Sequence, residues 1–238
     1  MRTVYRFRRT GTIRMKTENR REILRMSGGL LLTLMTGCSL IDGPRSDMVP
    51  GIAFPSERTK TMEELARRAE KEGPEAQERL AAEMLEHFPQ EKDPIVRGDI
   101  LRTVGRFQTA SSYQLLQIAV RDPDETTRIR ACRAMATWKG SEEMSTVLCR
   151  TMLGDTSRDV RLEAARAVAE VGHPGAEKSL AESLEESDPA MQNLAVAALR
   201  RISPQDYGDD PALWRAHLRG ESVEPPSTLT RLWNQLRR

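Results

Sequence analysis

The sequence predicts an all-α protein built from repeated helical hairpins, an α-solenoid. Two observations predict this fold class. Aromatic residues make up only 4% of the 238 residues and mean hydropathy is −0.56, while Ala, Leu, Arg and Glu dominate, which favours helices over sheets. Four segments also align with one another at spacings of 31, 33 and 31 residues, which is the pattern of a repeat protein.

The first 37 residues have the pattern of an export signal. Residues 1–29 carry nine basic and two acidic side chains, and an uncharged stretch runs from Met26 to Thr36. At about 11 residues this stretch is too short to cross a bilayer, which needs about 20, but it suits the apolar part of a signal peptide. The chain then reads Leu34-Met35-Thr36-Gly37-Cys38, which resembles the bacterial lipobox.

The lipobox resemblance implies that residues 1–37 are removed and that Cys38 is lipidated. The mature protein would then be a membrane-anchored lipoprotein of the cell envelope that faces the periplasm or the exterior. Two alternatives stay open, namely plain secretion and a cytoplasmic protein whose first 40 residues form a basic arm. Translation starts at Met1 or at Met15, which is followed by Lys16.

Residues 38–60 predict a flexible tether, because three prolines and two glycines interrupt a stretch with little periodicity. A looser helical pair follows within residues 61–88. Its two helices are predicted over Met62–Lys71 and Pro74–Phe88, and the pair is expected to cap the repeats at their N-terminal end.

Each repeat begins with an amphipathic helix. The four anchor positions are Val96, Thr127, Val160 and Met191. Apolar or small residues recur four, seven, eight and eleven positions later, which describes one stripe on an α-helix. The small residues Ala131, Ala164 and Ala195 are therefore predicted to be buried between neighbouring helices. A second helix follows in each unit, over residues 111–121, 141–153 and 175–187, and the whole repeat domain spans 61–204.

The pattern Asp-Pro…Val-Arg…Ala-Ala…Ala-Val…Val-Gly, clearest from Asp155 to Gly172, resembles HEAT repeats. The closest resemblance is to the short HEAT-like variety of phycobilin lyases, and it covers residues 93–203. It implies an α-solenoid of about four to five hairpins. In such solenoids the second helix of each unit usually lines the concave binding face. The first candidates for a partner-binding surface are therefore Gln114, Gln117, Arg121, Arg150, Lys178 and Glu182.

The C-terminal extension, residues 205–238, contains two apolar groups. Leu213, Trp214 and Leu218 are predicted to close the last repeat. Beyond Pro225-Pro226, four residues predict a short amphipathic tail helix, which either docks on the solenoid or binds a partner: Leu229, Leu232, Trp233 and Leu236.

Arginines and aspartates recur at the start of the repeats. The arginines are Arg97, Arg128 and Arg161, and the aspartates are Asp93, Asp122, Asp155 and Asp188. The arginines form either an anion-binding stripe or ion pairs with the aspartates of their own or a neighbouring unit. Their constant repeat position favours the ion pairs. Where Pro follows the aspartate, as after Asp93, Asp122 and Asp188, the aspartate is predicted to cap the next helix.

The remaining chemistry-bearing residues point to structural roles. His87, His173 and His217 have no second His or Cys at ligand spacing, so no metal site is expected. His87 and His173 are read as helix-terminus residues. Cys132 and Cys149 are expected to be buried, and a disulfide between them is left open. Trp138 occupies the repeat position of Phe107 and Val171 and is expected in the core. No cofactor is expected.

The leading functional hypothesis is a non-enzymatic protein-binding scaffold. Outside residues 1–29 the chain holds 28 basic and 33 acidic residues, which argues against nucleic-acid binding by bulk charge. Two alternatives remain, a bilin lyase-like enzyme subunit and a HEAT-like nucleic-acid binder.

Overall fold

The structure is a computed structural model that describes residues 55–225, with side chains from Thr59 onward. This part of the chain contains ten α-helices and no β-strand. The helices, labelled α1 to α10 in chain order, are Pro55–Glu72, Pro74–His87, Pro94–Arg106, Ala110–Ala119, Glu125–Met135, Glu142–Gly154, Arg158–Val171, Glu177–Leu184, Pro189–Ile202 and Pro211–Leu218.

The helices of residues 55–202 form two layers. In the first-helix layer, α1, α3, α5, α7 and α9 each pack against the next member of the series. In the second-helix layer, which comprises α2, α4, α6 and α8, α2 packs closely against α4 and α6 against α8, whereas α4 and α6 make few contacts. This arrangement confirms the predicted all-α solenoid of stacked hairpins.

Small residues let the first helices approach one another. Ala131, Ala164 and Ala195 are fully buried, as predicted. Between α3 and α5 the backbones approach closely at Gly105, where an added Cβ would lie 3.0 Å from the Cβ of Ala134. Larger side chains at these positions would force the two helices apart.

Each repeat helix begins with a side-chain cap. Asp93 and Asp188 accept hydrogen bonds from Ile95 N and Ala190 N, both at 2.9 Å, as predicted. The predicted cap at Asp122 is wrong. Asp124 caps α5 by accepting from Thr127 N at 2.7 Å, while Asp122 accepts from Asp124 N at 2.9 Å and so supports the turn before the helix. The Asp-Pro pair was misleading because α5 begins two residues later than Pro123.

The N-terminal end of the stack begins earlier than the sequence predicted. Helix α1 starts at Pro55, inside the segment assigned to the tether, so the boundary predicted at residues 60 and 61 moves to Pro55. Proline is favoured at the first turn of a helix because its missing N–H has no partner there anyway. The sequence interpretation took this proline as a mark of irregular chain.

Helix α10 closes the C-terminal end of the described stack by packing on α8 and α9. Trp214 is fully buried, and its indole N–H donates to Gly208 O at 2.8 Å. The ring of Tyr207 meets Trp214 edge-on, with 5.2 Å between the ring centroids. Leu213 and Leu218 are partly buried against the same core, as predicted for residues that close the last repeat.

Several predictions fall on residues that the structure does not describe. They are the signal segment, Cys38, most of the tether, and the tail residues Leu229, Leu232, Trp233 and Leu236. Within residues 55–225, none of the helices is both long enough and apolar enough to cross a membrane.

Candidate partner-binding surface

The repeat arginines are tied into the stack. Arg128 donates from Nε and Nη2 to the two carboxylate oxygens of Asp155 in the next unit, at 2.9 and 3.0 Å. Its Nη1 donates to Asp122 O at 2.9 Å. Arg97 makes the equivalent ion pair with Asp122. The side chains of Arg128 and Asp155 are only 13% and 9% exposed, so this ladder joins consecutive units rather than offering cations to a ligand.

The third rung corrects the predicted pairing. Arg161 pairs with Glu186, not with Asp188, which instead accepts from Arg158 Nε at 2.7 Å. The partner of each arginine lies five residues before the next anchor, where Asp122, Asp155 and Glu186 stand, whereas the cap lies three residues before it. Gln192 replaces the arginine in the last repeat, and its Nε2 donates to Glu186 O at 2.6 Å.

The histidines and Trp138 have structural surroundings. His87 ends α2, and His173 accepts from Gly175 N at 3.1 Å at the start of a short 3-10 turn, as predicted for helix-terminus residues. His217 Nδ1 lies 2.9 Å from the hydroxyl of Tyr207. Trp138 packs partly buried against the core, and its indole N–H donates to Gly105 O at 3.1 Å.

Both described cysteines are buried free thiols. Burial raises the pKa of the Cys132 thiol to about 12 and also raises that of Cys149. Both therefore stay protonated near neutral pH, and a thiolate nucleophile is not available at either position.

Exposed side chains on the second-helix layer fall into regular rows. Positions related by 32 residues occupy equivalent places on α4, α6 and α8, and three such rows are exposed. The rows are Gln114, Thr146 and Lys178; then Ile118, Arg150 and Glu182; then Arg121, Leu153 and Glu185. The spacing of four and three residues puts the three positions of each unit on one face, with Arg121 and Glu185 just past the ends of α4 and α8.

The six predicted binding residues lie on this layer. Gln114 and Gln117 are on α4, Arg121 follows its last turn, Arg150 is on α6, and Lys178 and Glu182 are on α8. All are exposed except Gln117, which is half-buried. Five of them belong to the three rows. The structure therefore places them on one layer, in a regular array.

Three cations of this surface are unengaged. No described residue makes an ion pair or hydrogen bond with the side chain of Arg121, Arg150 or Lys178. By contrast, exposed arginines on the first-helix layer are paired. Arg133 Nε donates to Glu163 at 2.8 Å, and Arg201 Nη1 donates to Glu170 at 2.8 Å.

Two large apolar residues lie beside the unengaged cations, and the sequence interpretation did not identify them. Ile118 is 46% exposed and Leu153 is 36% exposed. The signal was present in the sequence, because 118 and 150, and likewise 121 and 153, differ by 32. It was missed because the first-helix anchors, which are spaced by 31 and 33, obscure the constant interval of the second helices.

The two layers differ in net charge. The five first helices carry 16 basic and 10 acidic side chains, whereas the four second helices carry 3 basic and 8 acidic ones. Arg121 and Arg150 therefore lie in an otherwise acidic layer. A shallow pocket of about 230 Å³ between α8 and α10 is lined by charges of both signs, Glu182 and Glu185 with Arg215 and Arg219.

A family model described as HEAT repeats matches residues 112–200 and, in an overlapping second match, residues 145–217. The stacked hairpins of residues 112–217 are therefore similar to HEAT repeats. The matched region begins within α4 and contains all the exposed rows. For the hairpins before it, the assignment as repeats of the same kind rests on their packing in the stack alone. A search of the curated proteins found no match. The HEAT-repeat resemblance is thus confirmed, and the finer resemblance to the phycobilin-lyase type stays a prediction.

Proposed function

We propose that this HEAT-repeat protein is a non-enzymatic scaffold that binds a protein partner through its second-helix layer and is held at a membrane by a lipid on Cys38. The scaffold is the stack itself, in which buried ion pairs and small residues fix each hairpin on the next. The binding surface is the set of exposed rows on α4, α6 and α8.

The observation that carries the protein-binding part is the contrast between paired and unengaged side chains. An exposed arginine without a described partner fits a protein interface, because arginine is one of the residue types enriched among those that supply most of the binding energy. The exposed Ile and Leu add apolar area beside it. The surrounding positions Gln114, Gln117, Lys178 and Glu182 supply a polar rim of the kind that interfaces have.

The membrane anchor rests on the sequence around Cys38, which lies outside the described residues. Two or more acyl chains on the new N-terminal cysteine would hold the protein stably at a membrane. About 16 residues separate Cys38 from the start of α1 at Pro55, and an extended chain of that length spans about 50 Å. This reach would let the repeats stand clear of the lipid headgroups.

Co-purification from native membranes tests the scaffold. The full chain is purified under mild detergent with and without chemical cross-linking, and the bound polypeptides are identified by mass spectrometry. We expect a defined partner in stoichiometric amount. A charge-reversed variant, Arg121→Glu/Arg150→Glu, should lose that partner, whereas Lys60→Glu/Lys71→Glu, which changes two exposed lysines of α1 on the first-helix layer, should retain it. Purification of the protein alone from both preparations would contradict the proposal.

Mass spectrometry of the native N-terminus tests the anchor. We expect an acylated Cys38 in the membrane fraction, and we expect Cys38→Ala to move the protein out of that fraction without changing its melting temperature. A native chain that begins at Met1 or Met15, or an unmodified Cys38 in a soluble fraction, would show that the lipid anchor is wrong while leaving the scaffold intact.

A further inference from the structure

Two exposed arginines of the first-helix layer share one carboxylate. Arg133 Nε on α5 and Arg166 Nη1 on α7 donate to Glu163 at 2.8 and 3.2 Å. The arginine side chains are 64% and 55% exposed, whereas that of Glu163 is 13% exposed. The two guanidinium groups therefore lie on the solvent side of the carboxylate, and the group keeps one positive charge that Glu163 does not balance.

A second group of the same kind lies at the C-terminal end of α7. Lys139 Nζ, from the turn after α5, and Arg201 Nη1, on α9, donate to Glu170 at 2.6 and 2.8 Å. This group also contains two cations and one carboxylate. Because Glu163 and Glu170 are seven residues apart, they lie on one face of α7, about 10 Å from each other. We call the two groups the α7 cation pairs.

Packing of the first helices fixes the α7 cation pairs, since α7 packs directly against both α5 and α9. At the edge of this cationic area, the exposed carboxylate of Asp159 is offset by Arg130, which no described carboxylate pairs. Beyond α9, Arg200 engages both Asp206 and Asp209, so the cationic area ends there. Within it the surplus is two positive charges, one at each pair.

A surplus of one charge at each pair matches a phosphodiester, which carries one negative charge. Guanidinium groups make charge-assisted hydrogen bonds to phosphate oxygens. Among the described residues, Arg166 donates from Nη1 alone, so its Nε and Nη2 are available to a further acceptor. One phosphodiester at each pair would balance the charge that the shared carboxylate leaves.

The surroundings of the α7 cation pairs favour a lipid surface over a nucleic acid or a protein. Nucleic-acid binding typically engages about six to ten phosphates, several times the surplus found here. A protein interface needs large apolar or aromatic side chains at its centre. The exposed large apolar residues of the described chain lie on α1, α3, α4 and α6, and none lies on α5, α7 or α9. A few cations suffice to orient a protein that is already held near an anionic membrane.

From these contacts and charges we infer that the α7 cation pairs bind the headgroup phosphates of anionic lipids, one at each pair, so that the first-helix layer lies on the membrane. The second-helix layer then faces away from the lipid and is open to a partner protein. This inference rests on the membrane location in the proposed function, and it adds which face of the repeats meets the membrane.

Position-specific fluorescence quenching tests the inference. A fluorescent amino acid replaces either Ala197 on α9, which occupies the repeat position of Arg133 and Arg166, or Thr146 on α6; both are exposed. The full chain is mixed with vesicles of phosphatidylcholine and phosphatidylglycerol that carry a quencher on their headgroups. Residues 1–29 hold nine basic and two acidic side chains and bring every variant to the vesicles, so quenching reports which face meets the lipid. We expect strong quenching at position 197 and weak quenching at position 146.

Two variants test the cations themselves, and each removes one of the pairs: Arg133→Gln/Arg166→Gln and Lys139→Gln/Arg201→Gln. Each variant should lower the quenching at position 197 by about threefold or more, because every cation near an anionic surface adds to the attraction. Raising the salt concentration from 0.1 M to 1 M should have the same effect, since it shortens the screening length from about 10 Å to about 3 Å.

A matched control removes two exposed cations elsewhere. Arg79 lies on α2 and Lys92 lies in the turn before α3, and Arg79→Gln/Lys92→Gln should be quenched at position 197 as the original is. Loss of both cations around Glu170 leaves a carboxylate that is 49% exposed and stays hydrated, so this pair variant should also keep its melting curve. It keeps the test valid if the variant around Glu163 is destabilised.

Three results of the vesicle experiment would overturn the inference. They are equal quenching at positions 197 and 146, quenching at position 197 that neither pair variant lowers, and equal quenching by vesicles of phosphatidylcholine alone. Binding of duplex DNA that the pair variants weaken more than vesicle binding would overturn it in favour of nucleic acid. An acylated native Cys38 together with equal quenching at both positions would refute only the membrane-facing layer. An unmodified Cys38 in a soluble fraction would refute the anchor.

Discussion

The two helical layers of this protein have different tasks, and the contrast is clearest between α5 and α6, which are consecutive in the chain. On α5, the side chain of Arg128 is 13% exposed and links two units through Asp155 and Asp122. On α6, Arg150 is exposed and no described residue pairs with it. The same residue type therefore holds the stack in one layer and remains available to a partner in the other.

The two layers also differ in how closely neighbouring helices approach each other. First helices meet through Gly and Ala, which allow close approach and tolerate no enlargement. Second helices bury Leu and Met, including Leu116, Leu148 and Leu180, and turn a face of polar and apolar residues outward. Evolution of a binding surface needs positions that change without cost to the fold. The exposed rows of the second-helix layer supply them, because their side chains lie outside the buried core that both layers share.

The largest effect is expected from breaking the ion pair between Arg128 and Asp155, which joins consecutive units. Arg128→Met leaves Asp155 buried without its counter-charge and should lower the free energy of unfolding by about 3 kcal/mol. Thermal and urea unfolding followed by circular dichroism measure it. The double variant Arg128→Met/Asp155→Leu is the control and should recover most of the loss, because two apolar groups then face each other. Equal losses of unfolding free energy in the single and double variants would mean that the unpaired charge of Asp155 is not the cause of the loss.

Overpacking between first helices should cause the second-largest loss of stability. Ala167 on α7 is 2% exposed, and Ala167→Phe should cost about 1–3 kcal/mol. Ala197→Phe on the neighbouring α9 is a matched control at an exposed alanine and should change stability by less than about 0.5 kcal/mol. An unchanged melting temperature for Ala167→Phe would place this residue away from any helix–helix contact.

A capping residue should give a smaller and pH-dependent effect. The hydrogen bond from the Thr127 side chain is the main cause that lowers the pKa of Asp124 from its ordinary value of 3.8. The ionised carboxylate of Asp124 therefore contributes stability above its ordinary pKa. The contribution disappears as the pH falls through the lower pKa that Asp124 has in the folded state. Asp124→Ala should cost about 1 kcal/mol at neutral pH and progressively less below pH 3.8. A cost that stays constant down to pH 2 would contradict this role.

The smallest expected effect concerns an exposed arginine of the second-helix layer. Arg150→Ala removes an exposed arginine that has no described partner, and alanine favours helix slightly more than arginine does. The free energy of unfolding should therefore change by less than about 0.5 kcal/mol. A loss as large as that of Arg128→Met would show that α6 also holds the stack through its outer face.

Sequence reasoning identified the periodic features and missed those that depend on a neighbouring unit. The helices and the buried alanines at 131, 164 and 195 follow from spacing along one chain segment. The choice of the layer that carries Gln114 to Glu182 followed from the resemblance to HEAT-like solenoids. Spacing does not predict that Arg161 pairs with Glu186 rather than with Asp188. Both carboxylates precede the same helix, and the geometry of the turn decides which of them Arg161 reaches. Likewise Pro55 marks a helix start and Pro123 does not, although both look like chain breakers in the sequence.

The exposure of Ile118 and Leu153 was also beyond the sequence interpretation. Each lies within a helix whose other Leu, Val and Met residues are buried, and Ile118 directly precedes the buried Ala119. Only the orientation of α4 and α6 against the first helices decides which apolar residues face outward. The predicted surface was therefore described by its polar rim, and the apolar centre emerged from the fold.

Site-specific photo-cross-linking tests the division between the layers most directly. A photoreactive amino acid replaces either Arg150 on α6 or Arg166 on α7, both exposed, in the full chain in its native cells. We expect a discrete adduct with a partner protein from position 150 and none from position 166. A discrete adduct from position 166 alone, or adducts of equal yield from both positions, would contradict it.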